Sequence, residues 1–255
     1  MIFTDTHTHL YAEEFKDDRE ASVNKAIEHG VSRMFLPNID CNSIQPMLDL
    51  VWQFRDNCFP MMGLHPCSVD EHFESQLFQI QKWFKKRKFH AMGEIGLDYY
   101  WSLDFKEQQI IAFKKQLQWA INLNLPVVLH SRNSIDEMIA ILKHMQHPNL
   151  RGIFHCFSGN EEQAKQITAL GFYLGIGGVL TYKNSGLDKA IENIPLENLV
   201  LETDSPYLPP VPYRGKRNES IYVIEVAKKL AELKNVSLEK VAEITTANSK
   251  NIFGI

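Results

Sequence analysis

Eight apolar runs of strand length recur along this chain at about 32 residues per unit, and each is followed by a stretch of helical period. The runs cover 2–6, 32–36, 59–64, 90–94, 126–130, 151–155, 172–176 and 198–202. The stretches between them lie near 15–29, 43–54, 73–85, 105–124, 134–146, 160–170, 186–193 and 218–234. Strands separated by a helix cannot pair as tight hairpins; they pair in parallel through crossover connections. Eight such units in 255 residues match the size of a (β/α)8 TIM barrel. The fourth helical stretch is the clearest, with Ile110, Phe113, Leu117, Ala120 and Ile121 on one stripe. A ninth helix is expected from Ser237, a good N-cap residue, to about Asn248. The rival is an open doubly wound sheet, which needs a Gly-x-Gly-x-x-Gly turn after its first strand. His7-Thr8-His9 occupies that turn instead. Gly175-Ile176-Gly177-Gly178 reads as close backbone packing rather than a phosphate loop. The expectation is one α/β domain over 1–255, a (β/α)8 barrel.

With 44% hydrophobic and 23% charged residues the chain is ordinary globular protein, and no composition shift, linker or repeat divides it. Cys41, Cys58, Cys67 and Cys156 lie far apart without Cys-x-x-Cys spacing, which excludes a zinc ribbon and a disulfide framework. A cytoplasmic location is expected. No basic leader and no apolar run of about 18 residues point to secretion or a membrane anchor. The net charge of −4 argues against broad attraction to nucleic acid. Any such contact must be local, where bound cations supply the positive charge. The basic run Lys85-Lys86-Arg87-Lys88 falls just before a strand, so a barrel places it opposite the active-site mouth.

The chemistry sits at the other end of the strands. On an extended strand, side chains two apart share a side, so His7 and His9 can reach one ion. His65, Glu94, His130, His155 and Asp204 follow at or just after the third, fourth, fifth, sixth and eighth apolar runs, where barrel enzymes keep their active sites. Glu94, the carboxylate of the middle strands, can offer one oxygen to each of two metals. The expected partition is His7, His9, Glu94 and Asp204 on one ion, with Glu94, His130 and His155 on the other. Four imidazoles suit Zn2+, Mn2+ or Fe2+ better than Mg2+. By contrast His29, His90, His144 and His147 precede strands and belong to the bottom face.

The runs Asp5-Thr6-His7-Thr8-His9-Leu10, Gly93-Glu94-Ile95-Gly96-Leu97-Asp98-Tyr99, His155-Cys156-Phe157-Ser158-Gly159 and Glu202-Thr203-Asp204-Ser205-Pro206-Tyr207-Leu208 resemble the signatures of the TatD family of metal-dependent deoxyribonucleases, within the amidohydrolase-like barrels. The resemblance spans nearly the whole chain. It implies a (β/α)8 fold, hydrolysis of DNA phosphodiesters supported by Mg2+, 3′-to-5′ exonuclease action, and metals at His7, His9, Glu94, His130, His155 and Asp204. In some relatives it implies removal of D-amino acids from tRNA. One departure is Ser220, where relatives usually show Pro, and it is expected to alter the local shape of the substrate-facing loop.

The expected enzyme therefore holds two divalent ions, Mg2+ or Mn2+ in activity and Zn2+ possible in the site, and takes single-stranded DNA or DNA ends as substrate. Nothing points to an obligate protein partner. Two ions would acidify a water between them. Glu94 and Asp204 are the catalytic carboxylates, Asp204 accepting the water's proton, and His65 orients phosphate or protonates the leaving oxygen. Arg132, Lys183, Arg214 and Lys216 are the expected phosphate contacts, since an Arg fork matches phosphate geometry. Tyr99, Tyr100, Trp101 and Tyr207 are candidates for stacking on unpaired bases. The alternatives are a D-aminoacyl-tRNA deacylase and a small-molecule amidohydrolase, which the same barrel can host. Glu94 at the bridge, where many two-metal relatives carry a carboxylated Lys, favours the nuclease branch. A non-enzymatic metal-binding scaffold fits poorly with ligands drawn from six loops.

Overall fold

The computed structural model describes residues 1–255. Eight parallel strands run in chain order: β1 (Phe3–Asp5), β2 (Val31–Leu36), β3 (Cys58–Pro60), β4 (Met92–Asp98), β5 (Val127–Arg132), β6 (Gly152–Phe154), β7 (Phe172–Ile176) and β8 (Leu199–Leu201). β1, β2 and β3 pair with one another, and β4 to β8 pair in sequence. The two remaining seams are closed just beyond the regular pairing. Met62 donates to Ala91 O at 3.1 Å and accepts from Gly93 N at 3.0 Å, joining β3 to β4. Thr6 N donates to Leu201 O at 3.0 Å, Asp204 N to His7 O at 2.9 Å and His9 N to Ser205 O at 2.7 Å, joining β8 to β1. The ring is a closed (β/α)8 barrel.

The helices are α1 (Arg19–Glu28), α2 (Ile44–Gln53), α3 (Phe73–Lys86), α4 (Lys106–Leu123), α5 (Ile135–His144), α6 (Glu161–Ala169), α7 (Leu187–Ile191), α8 (Val223–Lys234) and α9 (Leu238–Phe253). α6 starts on a capping box in which Asn160 accepts from Gln163 N and the Gln163 side chain returns to Asn160 N. α9 starts on Ser237 as expected, but it runs past Asn248 to Phe253. Buried Asn248 does not end the helix; its amide donates to Leu196 O and Leu199 O at 2.8 and 2.7 Å. The helix then delivers Phe253 onto Phe35, with ring centroids 3.7 Å apart. Ile252 and Phe253 pack with Phe35, Met61, Ala91, Val128, Ile153 and Val200, plugging the barrel at the end opposite its chemistry.

α4 buries Phe113, Leu117, Ala120 and Ile121, but also Gln109 and Gln116. Both glutamines work as clamps. Gln116 Oε1 accepts from Leu64 N at 2.7 Å and its amide donates to Leu64 O at 3.2 Å. Gln109 does the same to Asp98, at 2.9 and 3.2 Å. Each closes a two-bond ring on backbone that no strand neighbour satisfies, and so fixes the chain beside His65 and His130.

Three expectations need correction here, the first being β3, which covers 58–60 rather than 59–64 and ends five residues before His65. β4 covers 92–98 rather than 90–94, which puts Glu94 third in the strand and Asp98 at its end. The eighth helical stretch begins at Val223, after a single 3-10 turn at Ser220–Tyr222. Lys85 and Lys86 occupy the last turn of α3, before β4, on the face away from the site, where they complement the helix dipole. No helix is long and apolar enough to cross a membrane.

Candidate metal centre

The end of the barrel where the strands finish gathers His7, His9, His65, Glu94, His130, His155 and Asp204 around one point. His7 Nε2 and His9 Nε2 face each other at 3.2 Å. They lie 3.1 and 3.7 Å from Glu94 Oε2 and 3.7 and 3.5 Å from Asp204 Oδ1. Glu94 Oε1 meets His130 Nδ1 at 2.8 Å, His65 Nε2 at 3.3 Å and His155 Nε2 at 3.7 Å. Glu94 thus presents one oxygen to His7 and His9 and the other to a second histidine cluster.

Groups on the far side of His9, His130 and His65 decide which nitrogen of the neutral ring carries the lone pair, whereas His7 Nδ1 and His155 Nδ1 are buried without a hydrogen-bond partner. Tyr11 has one hydroxyl hydrogen and gives it to Pro37 O at 2.6 Å, so at 3.0 Å it accepts from His9 Nδ1. His9 Nε2 is left as an acceptor. His155 Nδ1 faces the Glu202 carboxylate at 2.9 Å, and His130 Nε2 faces Asp98 Oδ2 at 2.8 Å. A neutral His130 that gives its Nε2 proton to Asp98 turns the Nδ1 lone pair inward, in the carboxylate-histidine arrangement that orients metal ligands, and His155 stands beside Glu202 in the same sense without closing a hydrogen bond to it. His65 is the opposite case. Its Nδ1 accepts from Cys67 N at 3.0 Å, so a neutral His65 carries its proton on Nε2 and donates into the site.

Burial and charge follow the same pattern. Burial would raise Glu94, but the histidines around it, His65, His7 and His155, hold it well below the usual carboxylate range. Asp204 is held low against its own burial by His155 and His9. Burial pushes His7 down to about 4. His130 and His155 rise against burial to about 9 and about 10, drawn up by Asp98 and Glu94 and by Glu202, Asp204 and Glu94 respectively. Two ionised carboxylates out of bulk water, Glu94 and Asp204, call for cationic charge at their centre, which protonated His130 and His155 supply until a bound cation takes the place of their protons. The donor set, imidazole nitrogens with carboxylates, fits a divalent transition metal or zinc.

The structure brings together all six expected ligands but groups them differently. Three-residue clusters whose donor atoms lie within 4.8 Å of one another are His7, His9 and Glu94; His7, His155 and Asp204; His65, Glu94 and His130; and, behind the centre, His155, Cys156 and Glu202. His155 stacks on His7 with ring centroids 3.4 Å apart, so it stands nearer the first group than the expected partition placed it. Three buried acids that shape the site were not singled out from the sequence. Asp98 backs His130 and Glu202 backs His155. Asp5 accepts from Thr203 N at 2.9 Å and Thr203 Oγ1 at 2.6 Å, tying β1 to the segment that carries Asp204. Cys156 and Asp204 hold φ of 45° and 55°, left-handed conformations that cost a non-glycine residue of order 1 kcal/mol.

Among the expected substrate contacts, Arg132 and Tyr207 line the cavity of about 720 Å3 over the metal ligands, while Lys183 and Arg214 do not. Arg214 lies on the Tyr182 ring, 3.8 Å from its centroid, and Lys183 is exposed outside the mouth. Ser220 also departs from expectation. It does not shape the substrate-facing surface; it is buried behind β1, where its hydroxyl donates to Thr8 Oγ1 at 3.1 Å. Gly175 and Gly178 serve close packing: a Cβ on Gly175 would lie 2.3 Å from Glu202 Oε2, and one on Gly178 2.2 Å from Leu208 O.

Residues 4–254 match the family model for TatD-related DNases. The chain belongs to the TatD family. It is 37% identical over 256 residues to YabD of Bacillus subtilis, covering both proteins in full, and 33% identical over 259 residues to YcfH of Escherichia coli, covering all of this chain and 97% of that one. Both relatives are named uncharacterized metal-dependent hydrolases. The crystal structure of YjjV, a TatD homologue from Escherichia coli, superposes with a TM-score of 0.93 at 32% identity, covering 99% of this chain and 98% of that one. This TatD-family chain is a metal-dependent hydrolase on the same barrel.

Proposed function

We propose that this TatD-family chain is a deoxyribonuclease that hydrolyses phosphodiester bonds at single-stranded DNA ends, 3′ to 5′, with two divalent ions. The reading rests on one observation above others: Glu94 offers its two oxygens to two different histidine clusters, which is what a carboxylate shared between two ions requires. His7, His9 and Asp204 would hold one ion with Glu94; His130 would hold the second with Glu94, and His155 stands 3.7 Å from both Glu94 and Asp204. Mg2+ or Mn2+ would support activity, and Zn2+ suits the imidazoles. Divalent ions, when bound, supply Lewis acidity that acidifies water and offsets charge on the phosphate.

The chain's own residues supply the rest. Asp204, an ionised carboxylate at the cavity floor, accepts a proton from the water as its oxygen bonds to phosphorus. The bond from phosphorus to the leaving oxygen breaks, with His65 Nε2–H, fixed as a donor by Cys67, giving that oxygen a hydrogen bond, and the proton taken up by Asp204 passes through solvent to the leaving oxygen, which restores the carboxylate. Arg132 stands at the rim, where its guanidinium can take two phosphate oxygens. The net change is one water consumed and two strand pieces released.

The test is a time course on an end-labelled single-stranded oligonucleotide with divalent ion omitted, restored and exchanged. Cleavage should need the ion, proceed from the 3′ end, and vanish in Glu94→Ala while that variant keeps its circular dichroism spectrum. Equal rates for Glu94→Ala and wild type would refute the assignment. Turnover of D-aminoacyl-tRNA or of a cyclic amide without DNA cleavage would replace it.

A further inference from the structure

The mouth of the metal cavity carries an aromatic surface that hydrolysis itself does not use. Trp101 is 71% exposed and Tyr100 54% exposed, edge to face with centroids 5.0 Å apart. The Arg132 guanidinium lies 3.8 Å from the Tyr100 centroid and 5.5 Å from that of Trp101. Trp101 lines the same cavity as Glu94 and His130. Leaving an indole in water forgoes the burial that a core position would give it.

This surface is firmly held. Asp98, buried at the end of β4, accepts from Tyr100 N at 2.9 Å and Trp101 N at 3.3 Å through Oδ1, while its Oδ2 meets His130. One carboxylate therefore sets both the His130 imidazole and the backbone of the aromatic loop, so the point from which the indole projects is tied to the centre. Beyond Trp101 lies a second cavity of about 680 Å3 lined by Asp40, Asp70, Asp98 and Asp104, with no Lys or Arg. A neutral flat ring can enter there, whereas a continuing phosphate backbone is repelled.

We propose that Trp101, backed by Tyr100 and Arg132 and set in place by Asp98, is a stacking subsite for the terminal nucleobase of the substrate strand. The inference rests on the nuclease reading of the metal centre and explains why an end, rather than the middle of a strand, is taken. Base stacking on an aromatic ring tolerates any sequence, so the subsite selects a base without selecting which base.

The experiment compares wild type, Trp101→Ala and Trp101→Phe on two single-stranded oligonucleotides, one with an intact 3′-terminal nucleotide and one abasic there, in Mn2+. Trp101→Ala should lower kcat/KM about 5- to 100-fold on the intact end, change it little on the abasic end, and recover most activity as Trp101→Phe. Equal loss on both ends, or none on either, overturns the subsite. Binding is read separately by quenching of tryptophan emission with phosphorothioate versions of both oligonucleotides. If wild type cuts no DNA yet shows quenching that needs both Trp101 and the terminal base, the subsite stands and the nuclease reading falls. Without base-dependent quenching, the subsite falls.

Discussion

Replacing Gly175 with Ala should reach the metal centre without touching a ligand. Gly175 lies in β7, and the added Cβ would stand 2.3 Å from Oε2 of Glu202 and 2.8 Å from its Cδ. Glu202 is fully buried and cannot swing into solvent. Its Oε1 already takes Cys156 N at 2.6 Å and faces His155 Nδ1 at 2.9 Å. The methyl group therefore displaces the carboxylate or bends β7, an overpacking cost of about 1–3 kcal/mol. In a chain of this length that lowers Tm by about 3–10 °C. Moving the carboxylate also removes the group that orients His155, which lowers metal affinity about 10- to 100-fold. Thermal melts in EDTA give the first quantity, and competition of metal-free protein with a fluorescent zinc chelator gives the second. A fall in Tm with unchanged zinc affinity would show that Glu202 does not orient His155.

Tyr11→Phe removes the hydroxyl that passes between His9 Nδ1 and Pro37 O; two buried polar atoms lose their partner, costing about 1–3 kcal/mol, and zinc affinity should fall because the His9 tautomer is no longer fixed. Unaltered affinity by the same chelator competition would contradict that role. Ser220→Pro should be nearly neutral, because Glu219 is extended at φ −138° and ψ 149° and tolerates a following proline. The variant gives up one hydroxyl contact to Thr8, worth about 1 kcal/mol, while Thr8 keeps Ser205 at 2.6 Å. A melting shift beyond about 5 °C would mean that the Ser220 hydroxyl holds β1 in place.

The barrel and its ligands were legible in the sequence because each strand contributes an apolar run and each ligand stands near one run's end. β4 was harder to read. Its continuation Ile95-Gly96-Leu97-Asp98 breaks the apolar run with a glycine and an acid, yet all of it is buried. Gly96 is there because a Cβ would lie 2.0 Å from His130 O. Losing those four residues from the strand hid Asp98, whose spacing from His130 exists only across the β4–β5 pair. Glu202 was hidden for a related reason: it stands beside Asp204 in the chain, and only the fold turns it toward His155 instead of the centre. The grouping of His155 with His7 is likewise a matter of distance across the barrel, which no local pattern carries. The end of α9, expected at about Asn248, lies further on at Phe253; Asn248 and Ser249 are buried, and Asn248 serves carbonyls at the base of β8.

The joint between β8 and β1 is made by the very residues that line the candidate metal centre: His7 O receives Asp204 N, and His9 N gives to Ser205 O. A growing polypeptide on the ribosome can expose His7 and His9 early, but the pocket they belong to is not complete until Asp204, nearly two hundred residues later, has been synthesised and docked. Full loading is therefore expected only in finished molecules, and a fragment cut short before the eighth strand should hold a divalent cation less tightly than the whole chain.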